Sequence, residues 1–270
     1  MTTPSSTTVV DDPRNVTISS QNEPSGAKHL WMEIYIEGDD FEKHAFSTMF
    51  LKAKCRMAKT PETADLVVFT GGVDVDPALY GEEKHWKTET PDHKRDARDM
   101  ELYAKCFELG IPMFGVCRGA QFLHVMNGGK LYQHVNNHVG DHEMWALKSG
   151  NVKGYERIMV SSVHHQMCIK NEEMVLLGDS SKATERWINN KDKVEGSKLD
   201  VEAYFYPDTC CLGVQGHPEY SGYDQFLEWC IDQMDKFIFS SPETELRGRY
   251  RRLKQSVMDG RNVKLLSKDA

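Results

Sequence analysis

The chain has 270 residues, 39% of them hydrophobic and 27% charged, which is ordinary globular material and enough for one sizeable domain with appended tails. A formal charge of −8, from 33 basic and 41 acidic residues, argues against a dedicated nucleic-acid binder, because neutralising phosphates needs a surplus of Lys and Arg. No window reaches the roughly 18 consecutive apolar residues of a membrane span and no charged region precedes an apolar core, so the expectation is a cytoplasmic protein with no membrane partner.

Residues 1–28, rich in Ser, Thr, Pro and Asn, offer too little apolar surface to offset the entropy of ordering and read as a flexible leader. The folded domain is expected over 29–240. "LWMEIYIEG" reads as a strand and "DDFEKHAFSTMFLKAK" as a helix capped by Asp39 or Asp40. "ADLVVFT" is a short apolar run that stops at Gly71-Gly72, the pattern of a buried strand ending in a tight turn. A polar loop with "YGEEKHWKTETPDHK" leads to a helix over Asp96 to Leu109, where Met100, Tyr103, Ala104 and Phe107 recur at helical spacing before Gly110. "IPMFGV" follows as a strand, then a helix opening at Arg118. "ERIMVSS", "VEAYFY" and "CLGVQG" are further strand candidates, and "YDQFLEWCIDQMDKFIF" is an amphipathic helix that closes the domain. This alternation implies parallel βαβ units, hence an α/β fold of three layers with a mostly parallel central sheet. The tail, 241–270, carries eight Lys/Arg against four acids, and Leu246, Tyr250, Leu253 and Val257 space out one more short helix for packing on the body or a partner.

Seven cysteines (55, 106, 117, 168, 210, 211 and 230) are an odd number with no C-x-x-C pair, which fits a reducing compartment. Six read as small buried apolar side chains. The seventh stands in "GVCRGAQFL", Gly115 to Leu123, at a strand-to-helix junction. G-x-C-x-G there is the cysteine version of the nucleophile elbow, with Gly115 and Gly119 making room for a sharp turn that lifts Cys117 above the strand ends. The helix N-terminus supplies amides and a dipole that favour thiolate.

A thiolate needs a base that also protonates the leaving group, and a group to orient that base. "GVQGHPEYSG" offers both. With an extended backbone His217 and Glu219 point to the same side, which makes Cys117, His217 and Glu219 a candidate triad. The oxyanion hole is expected from the backbone N–H of Arg118 and from Gly72, since parallel strands end on one edge and glycine allows close approach. His134, His138, His142, His164 and His165 form a histidine-rich middle, but no helical pattern joins a His-x-x-x-His pair. No metal or cofactor is therefore expected, and His138-x-x-x-His142 is read as a loop over the pocket.

From about Leu66 to Gly222 the chain resembles the class I glutamine amidotransferase superfamily and, within it, the γ-glutamyl-γ-aminobutyrate hydrolase-like (peptidase C26) branch. "GVCRGAQFL" and "VQGHPE" match the superfamily; "TGGVDVDPALYGEE", "RDARD", "NGGKLYQHV" and "SSVHHQ" are similar to the hydrolase branch. The resemblance implies a flavodoxin-like core and attack by Cys117 on the side-chain amide of a γ-glutamyl group. It also implies that Gln121 and the backbone around His164 and His165 hold the amino-acid end of that group. Gly216 stands where the family usually carries a large aromatic, which implies a wider pocket beside His217.

The expected function is a cysteine-dependent hydrolase of γ-glutamyl amides that works without a cofactor. The alternative is a glutaminase subunit that supplies ammonia to a separate synthetase or transferase partner, with the tail as docking element. A third reading is a catalytically silent binding homologue. A homo-oligomer and the amine half of the substrate are left open by the sequence.

Overall fold

The computed structural model describes residues 32–149, 152–194 and 199–239; the leader over 1–28 and the basic tail over 241–270 lie outside the described residues. Strand β1 (Glu33–Glu37) buries Ile34 and Ile36 on one face. Helix α1 (Asp40–Lys52) begins after Asp39, whose carboxylate accepts the Glu42 amide at 2.9 Å and so satisfies one of the donors that a helix start leaves unpaired. Its buried residues Phe46, Met49 and Phe50 follow helical spacing. Strand β2 (Arg56–Met57) and strand β3 (Leu66–Phe69) both pair parallel to β1. Every residue of β3 is buried: Leu66 and Val68 join the cluster that includes α1, Val67 and Phe69 the cluster on the opposite face.

Helix α2 (His93–Leu109) starts three residues before the expected Asp96, because Asp92 caps it by accepting the Lys94 and Arg95 amides at 3.0 and 3.1 Å. It ends at Gly110, in the left-handed region at φ 67°. Strand β4 (Met113–Val116) and helix α3 (Arg118–Met126) follow. Leu102, Cys106, Phe122 and Leu123 cover the second face, each large side chain there contributing about 1.5–3 kcal/mol by its burial.

After α3 the alternation gives way to strands: β5 (Leu131–Tyr132), β6 (His134–Val135), β7 (His142–Leu147), β8 (Tyr155–Val160) and β9 (Met167–Cys168). Next come β10 (Val175–Ser180), β11 (Arg186–Trp187), β12 (Lys193–Val194), β13 (Asp200–Tyr206) and β14 (Cys211–Val214). Helix α4 (Asp224–Met234) closes the fold, packing Phe226 and Trp229 into the cluster that holds α1, and one π-helical turn over Asp235–Phe239 follows it.

The central sheet has nine strands in the order β2-β1-β3-β4-β14-β13-β10-β7-β8. Its β2-β1-β3-β4-β14 half is parallel and is the expected three-layer core; β13, β10, β7 and β8 extend it antiparallel. Gly71, Cys117 and His217 follow the C-terminal ends of β3, β4 and β14, so topology brings them to one edge of the sheet. A groove of about 560 Å³ lined by Tyr103, Phe107, Met126 and Thr209 lies at the other edge, where β4 and β14 begin. Among the described residues no helix is long and apolar enough to cross a membrane.

Candidate active site

Cys117 sits between β4 and α3 with φ 52° and ψ −113°, a backbone conformation that costs an L-residue energy and that the surroundings hold in place. Its amide donates to the Val214 carbonyl at 2.9 Å, and its carbonyl accepts the Gln121 amide at 3.1 Å. The flanking glycines are steric necessities. A Cβ on Gly115 would meet the carbonyl carbon and oxygen of Gly119 at 2.6 Å, and one on Gly119 would meet the carbonyl oxygen of Phe69 at 2.0 Å. These neighbours are backbone and cannot rotate away. All seven cysteines are buried; burial pushes the thiols of Cys55, Cys106, Cys168 and Cys230 up, and that of Cys211 to about 12.

Beneath the elbow lies an ion network that sequence reading did not resolve, although it quoted the segment "RDARD". Arg118, 1% exposed, binds the carboxylates of Asp96 and Asp99 on α2. Arg95 shares Asp99 through Nε at 3.0 Å and donates to Thr70 Oγ1 at 3.2 Å. Thr70 in turn donates to Glu42 Oε2 at 2.5 Å. The network ties α2 and the end of β3 to the first turn of α3, which carries the amide of Arg118.

His217 follows β14. Its Nδ1 lies 2.7 Å from Glu219 Oε1, as the H-x-E spacing predicts, but through a turn closed by the Tyr220 amide on the His217 carbonyl at 3.3 Å rather than through extended backbone. Burial alone would push the imidazole down; the Cys117 sulfur and the Glu219 carboxylate outweigh it and carry the value up to about 10. His217 Nε2 is buried and, among the described residues, has no hydrogen-bond partner within ordinary distance. Two further groups position the ring, and sequence reading missed both. Ser161 Oγ accepts the His217 amide at 2.9 Å and donates to the His217 carbonyl at 3.2 Å, while Tyr220 stacks on the imidazole at 4.6 Å and 7°. The signals were in view, Ser161 opening "SSVHHQ" and Tyr220 closing "HPEY".

Gly216 does not open a space beside His217. A Cβ there would meet the Ser161 carbonyl oxygen at 2.9 Å, Phe226 Cε1 at 3.0 Å and Val160 Cβ at 3.1 Å, because the Phe226 ring of α4 fills the volume.

Gly71 and Gly72 pass beside the nucleophile: a Cβ on Gly71 would stand 3.4 Å from His217 Cε1 and 3.9 Å from Cys117 Cβ, and Gly72 has φ 139°. Gln121 is buried one turn into α3, its Nε2 donating to the Gln166 carbonyl at 3.0 Å and to Gln215 Oε1 at 3.2 Å. His164 donates from Nδ1 to the same Gln166 carbonyl at 2.9 Å. His165 turns the other way and pairs with Asp74 at 3.1 Å, in the loop after Gly72; that bond is the main reason its imidazole is raised. The structure thus brings Gln121 to the segment of His164 and His165. The histidine-rich middle divides. His134 lies beside His165 with ring centroids 5.7 Å apart, whereas His138 and His142 approach each other at 5.0 Å and His138 and His164 at 4.9 Å. His138 and His142 are 1% and 4% exposed and His142 is the first residue of β7, while residues 139–141 between them form an exposed connection, so the segment is a loop whose two imidazoles point into the interior.

Residues 45–219, more than half of the chain, match the model of the family described as Peptidase C26. A Mycobacterium tuberculosis protein named "Putative glutamine amidotransferase" is 37% identical over 57% of this chain, and the alignment spans half of that relative's length. Lactococcus lactis subsp. lactis has a "Putative glutamine amidotransferase-like protein YvdE" that is 32% identical over 65% of this chain and 71% of its own. The crystal structure of a "putative gmp synthase subunit a protein" from Thermoplasma acidophilum superposes with a TM-score of 0.50 at 14% identity, over 84% of this chain and 99% of that one, a likeness of fold. Since the matched stretch contains the elbow, the glycine pair and the His-x-Glu turn, the chain belongs to the Peptidase C26 family of glutamine amidotransferase-like proteins.

Proposed function

We propose that the protein is a hydrolase of γ-glutamyl amide bonds, with Cys117 as nucleophile, His217 as acid and base, and Glu219 as the group that orients His217. The observation that carries this reading is the position of His217, held by Glu219 at 2.7 Å at the same strand edge as Cys117; both neighbours act to raise its imidazole. An imidazolium beside a thiolate is the state from which acyl transfer starts. The Cys117 sulfur attacks the γ-carbonyl carbon, and the C–N bond breaks as His217 gives its proton to the amine. The γ-glutamyl thioester that results is attacked by water, whose proton returns to His217 while the C–S bond breaks, releasing glutamate and restoring the thiolate.

In the same reading the amides of Gly72 and Arg118 receive the oxyanion, which fits the closeness of the glycine pair to Cys117 and the place of Arg118 at the first position of α3. Gln121 has committed both Nε2 protons to Gln166 and Gln215, which leaves Oε1 to accept from the α-ammonium of the glutamyl group. The backbone around His164 and His165 completes that end. We take 29–240 as the catalytic unit.

Glutamate release from γ-glutamyl-γ-aminobutyrate, γ-glutamyl-putrescine and glutamine by the isolated protein tests the reading. Turnover of at least one supports it; none from any of them rules it out. Glutaminase activity that appears only when a synthetase partner is added would replace it by the ammonia-donating role.

A further inference from the structure

Behind the wall that carries Gln121, three buried side chains present donor atoms that, among the described residues, have no hydrogen-bond partner. His138 follows β6, His164 lies between β8 and β9, and Glu202 is on β13; all three are buried, and one donor atom of each lies within 4.8 Å of the others.

The partners of these residues dictate which atoms are bare. His164 Nδ1 faces the Gln166 carbonyl at 2.9 Å, which can only accept, so Nδ1 carries the proton and Nε2 a lone pair that meets nothing. His138 Nε2 faces Asp200 Oδ2 at 3.2 Å, and the other oxygen of Asp200 receives Arg186 Nε at 3.1 Å, so Asp200 is a carboxylate that accepts. His138 Nδ1 is then also bare, and it is turned toward Glu202, 3.5 Å from Oε1. Glu202 Oε1 already receives His142 Nε2 at 2.7 Å and Ser180 Oγ at 2.9 Å, which leaves Oε2 without a partner. Two lone pairs and a carboxylate oxygen converging in a dry interior repel one another unless a cation lies between them.

We propose that His138 Nδ1, His164 Nε2 and Glu202 Oε2 bind one divalent transition-metal ion of the zinc class behind the substrate wall. Two imidazoles and one carboxylate suit such an ion and leave its fourth position to water. The surroundings are those that orient metal-binding histidines: a carboxylate behind His138, a backbone carbonyl behind His164, and His142 with Ser180 holding Oε1 of Glu202. Because His164 and Gln121 share the Gln166 carbonyl, an ion on His164 also steadies Gln121. The histidine-rich middle held two of the ligands, but their convergence with Glu202 was hidden because the three come from separate strand ends and not from one helix. The proposal does not depend on the hydrolase reading.

The test uses the full chain carrying Cys117→Ala, so that the nucleophile cannot bind metal. After dialysis against a chelator, the protein is titrated with Zn2+ alone by equilibrium dialysis and with Co2+ alone by visible absorption. The expected result is one Zn2+ per chain at micromolar free metal and the d–d bands of tetrahedral Co2+. Binding should be lost in His164→Gln and in Glu202→Gln and kept in Asp76→Asn, which alters the separate group formed by Asp76, His93 and Asp96. If the first two variants fail to fold, histidine 15N shifts decide, with two imidazoles expected to move on addition of Zn2+ to the folded Cys117→Ala protein. No binding of either ion, no shifted histidines, or loss of binding in Asp76→Asn alone overturns the proposal.

Discussion

Gly119 passes so close beneath β3 that a Cβ on it would stand 2.0 Å from the carbonyl oxygen of Phe69. No rotamer relieves a contact between backbone and Cβ, so Gly119→Ala must push α3 away from β3 and carry Cys117 with it. Overpacking of this kind costs about 1–3 kcal/mol, and each kcal/mol lowers Tm by roughly 2–4 °C in a chain of this size. The variant should melt several degrees lower and lose at least tenfold in the rate at which iodoacetamide alkylates Cys117; wild-type values for both would contradict the packing account.

His217 gives the pH dependence its sign. Its value is raised to about 10, so the imidazolium needed to protonate the leaving amine persists through neutral pH and is lost only as pH rises through about 10. The alkaline limb of kcat/KM should therefore fall near pH 10. Glu219→Gln removes one of the two negative groups that raise the ring and should shift the limb to lower pH. By the same linkage, the stability His217 contributes is fully present below its unfolded value near 6.5 and disappears as pH rises through about 10. A pH–rate profile of both proteins checks the shift, and an unmoved limb would detach Glu219 from His217.

Asp99 is fully buried and binds both Arg95 and Arg118. Asp99→Asn leaves two buried guanidinium groups short of a counter-charge, and breaking a buried pair from one side costs about 3–5 kcal/mol. Lys191 and Glu83 form the opposite case, 3.5 Å apart with side chains 78% and 80% exposed. Lys191→Ala should change urea unfolding by under about 1 kcal/mol, as exposed pairs do. Equal effects of the two substitutions would show that the network beneath the elbow is not a structural tie.

Gly216→Trp, which restores the aromatic that the family usually has before "HPE", should destabilise rather than rescue. The space beside Gly216 is taken by Phe226, Val160 and the Ser161 carbonyl. The expected result is loss of soluble protein or a Tm lowered by several degrees; a tighter substrate KM with unchanged Tm would mean that the volume is open.

The parallel half of the sheet was legible because its strands are short continuous apolar runs that stop at a glycine-bearing turn, as in "LVVF" before Thr70-Gly71 and "MFGV" before Cys117. The antiparallel half was harder to read. In β7 the buried positions are His142, Met144 and Ala146 and the exposed ones Glu143 and Trp145, so a histidine faces inward and a tryptophan outward, which blurs the alternation. The elbow and the His-x-Glu pair could be read because their chemistry requires fixed residue types at short spacing. Ser161, Tyr220 and the cluster of His138, His164 and Glu202 could not, since each depends on a long-range approach of strand ends that no local spacing records.

The central claim is that the Cys117 sulfur takes up the acyl group. Rapid mixing with a γ-glutamyl anilide, acid quenching, and intact-mass analysis with peptide mapping test it directly. The account predicts a γ-glutamyl adduct on the peptide that contains Cys117, none on the five thiols that burial pushes up, and no adduct in Cys117→Ala. Glutamate release with Cys117 unmodified and Cys117→Ala still active would contradict it.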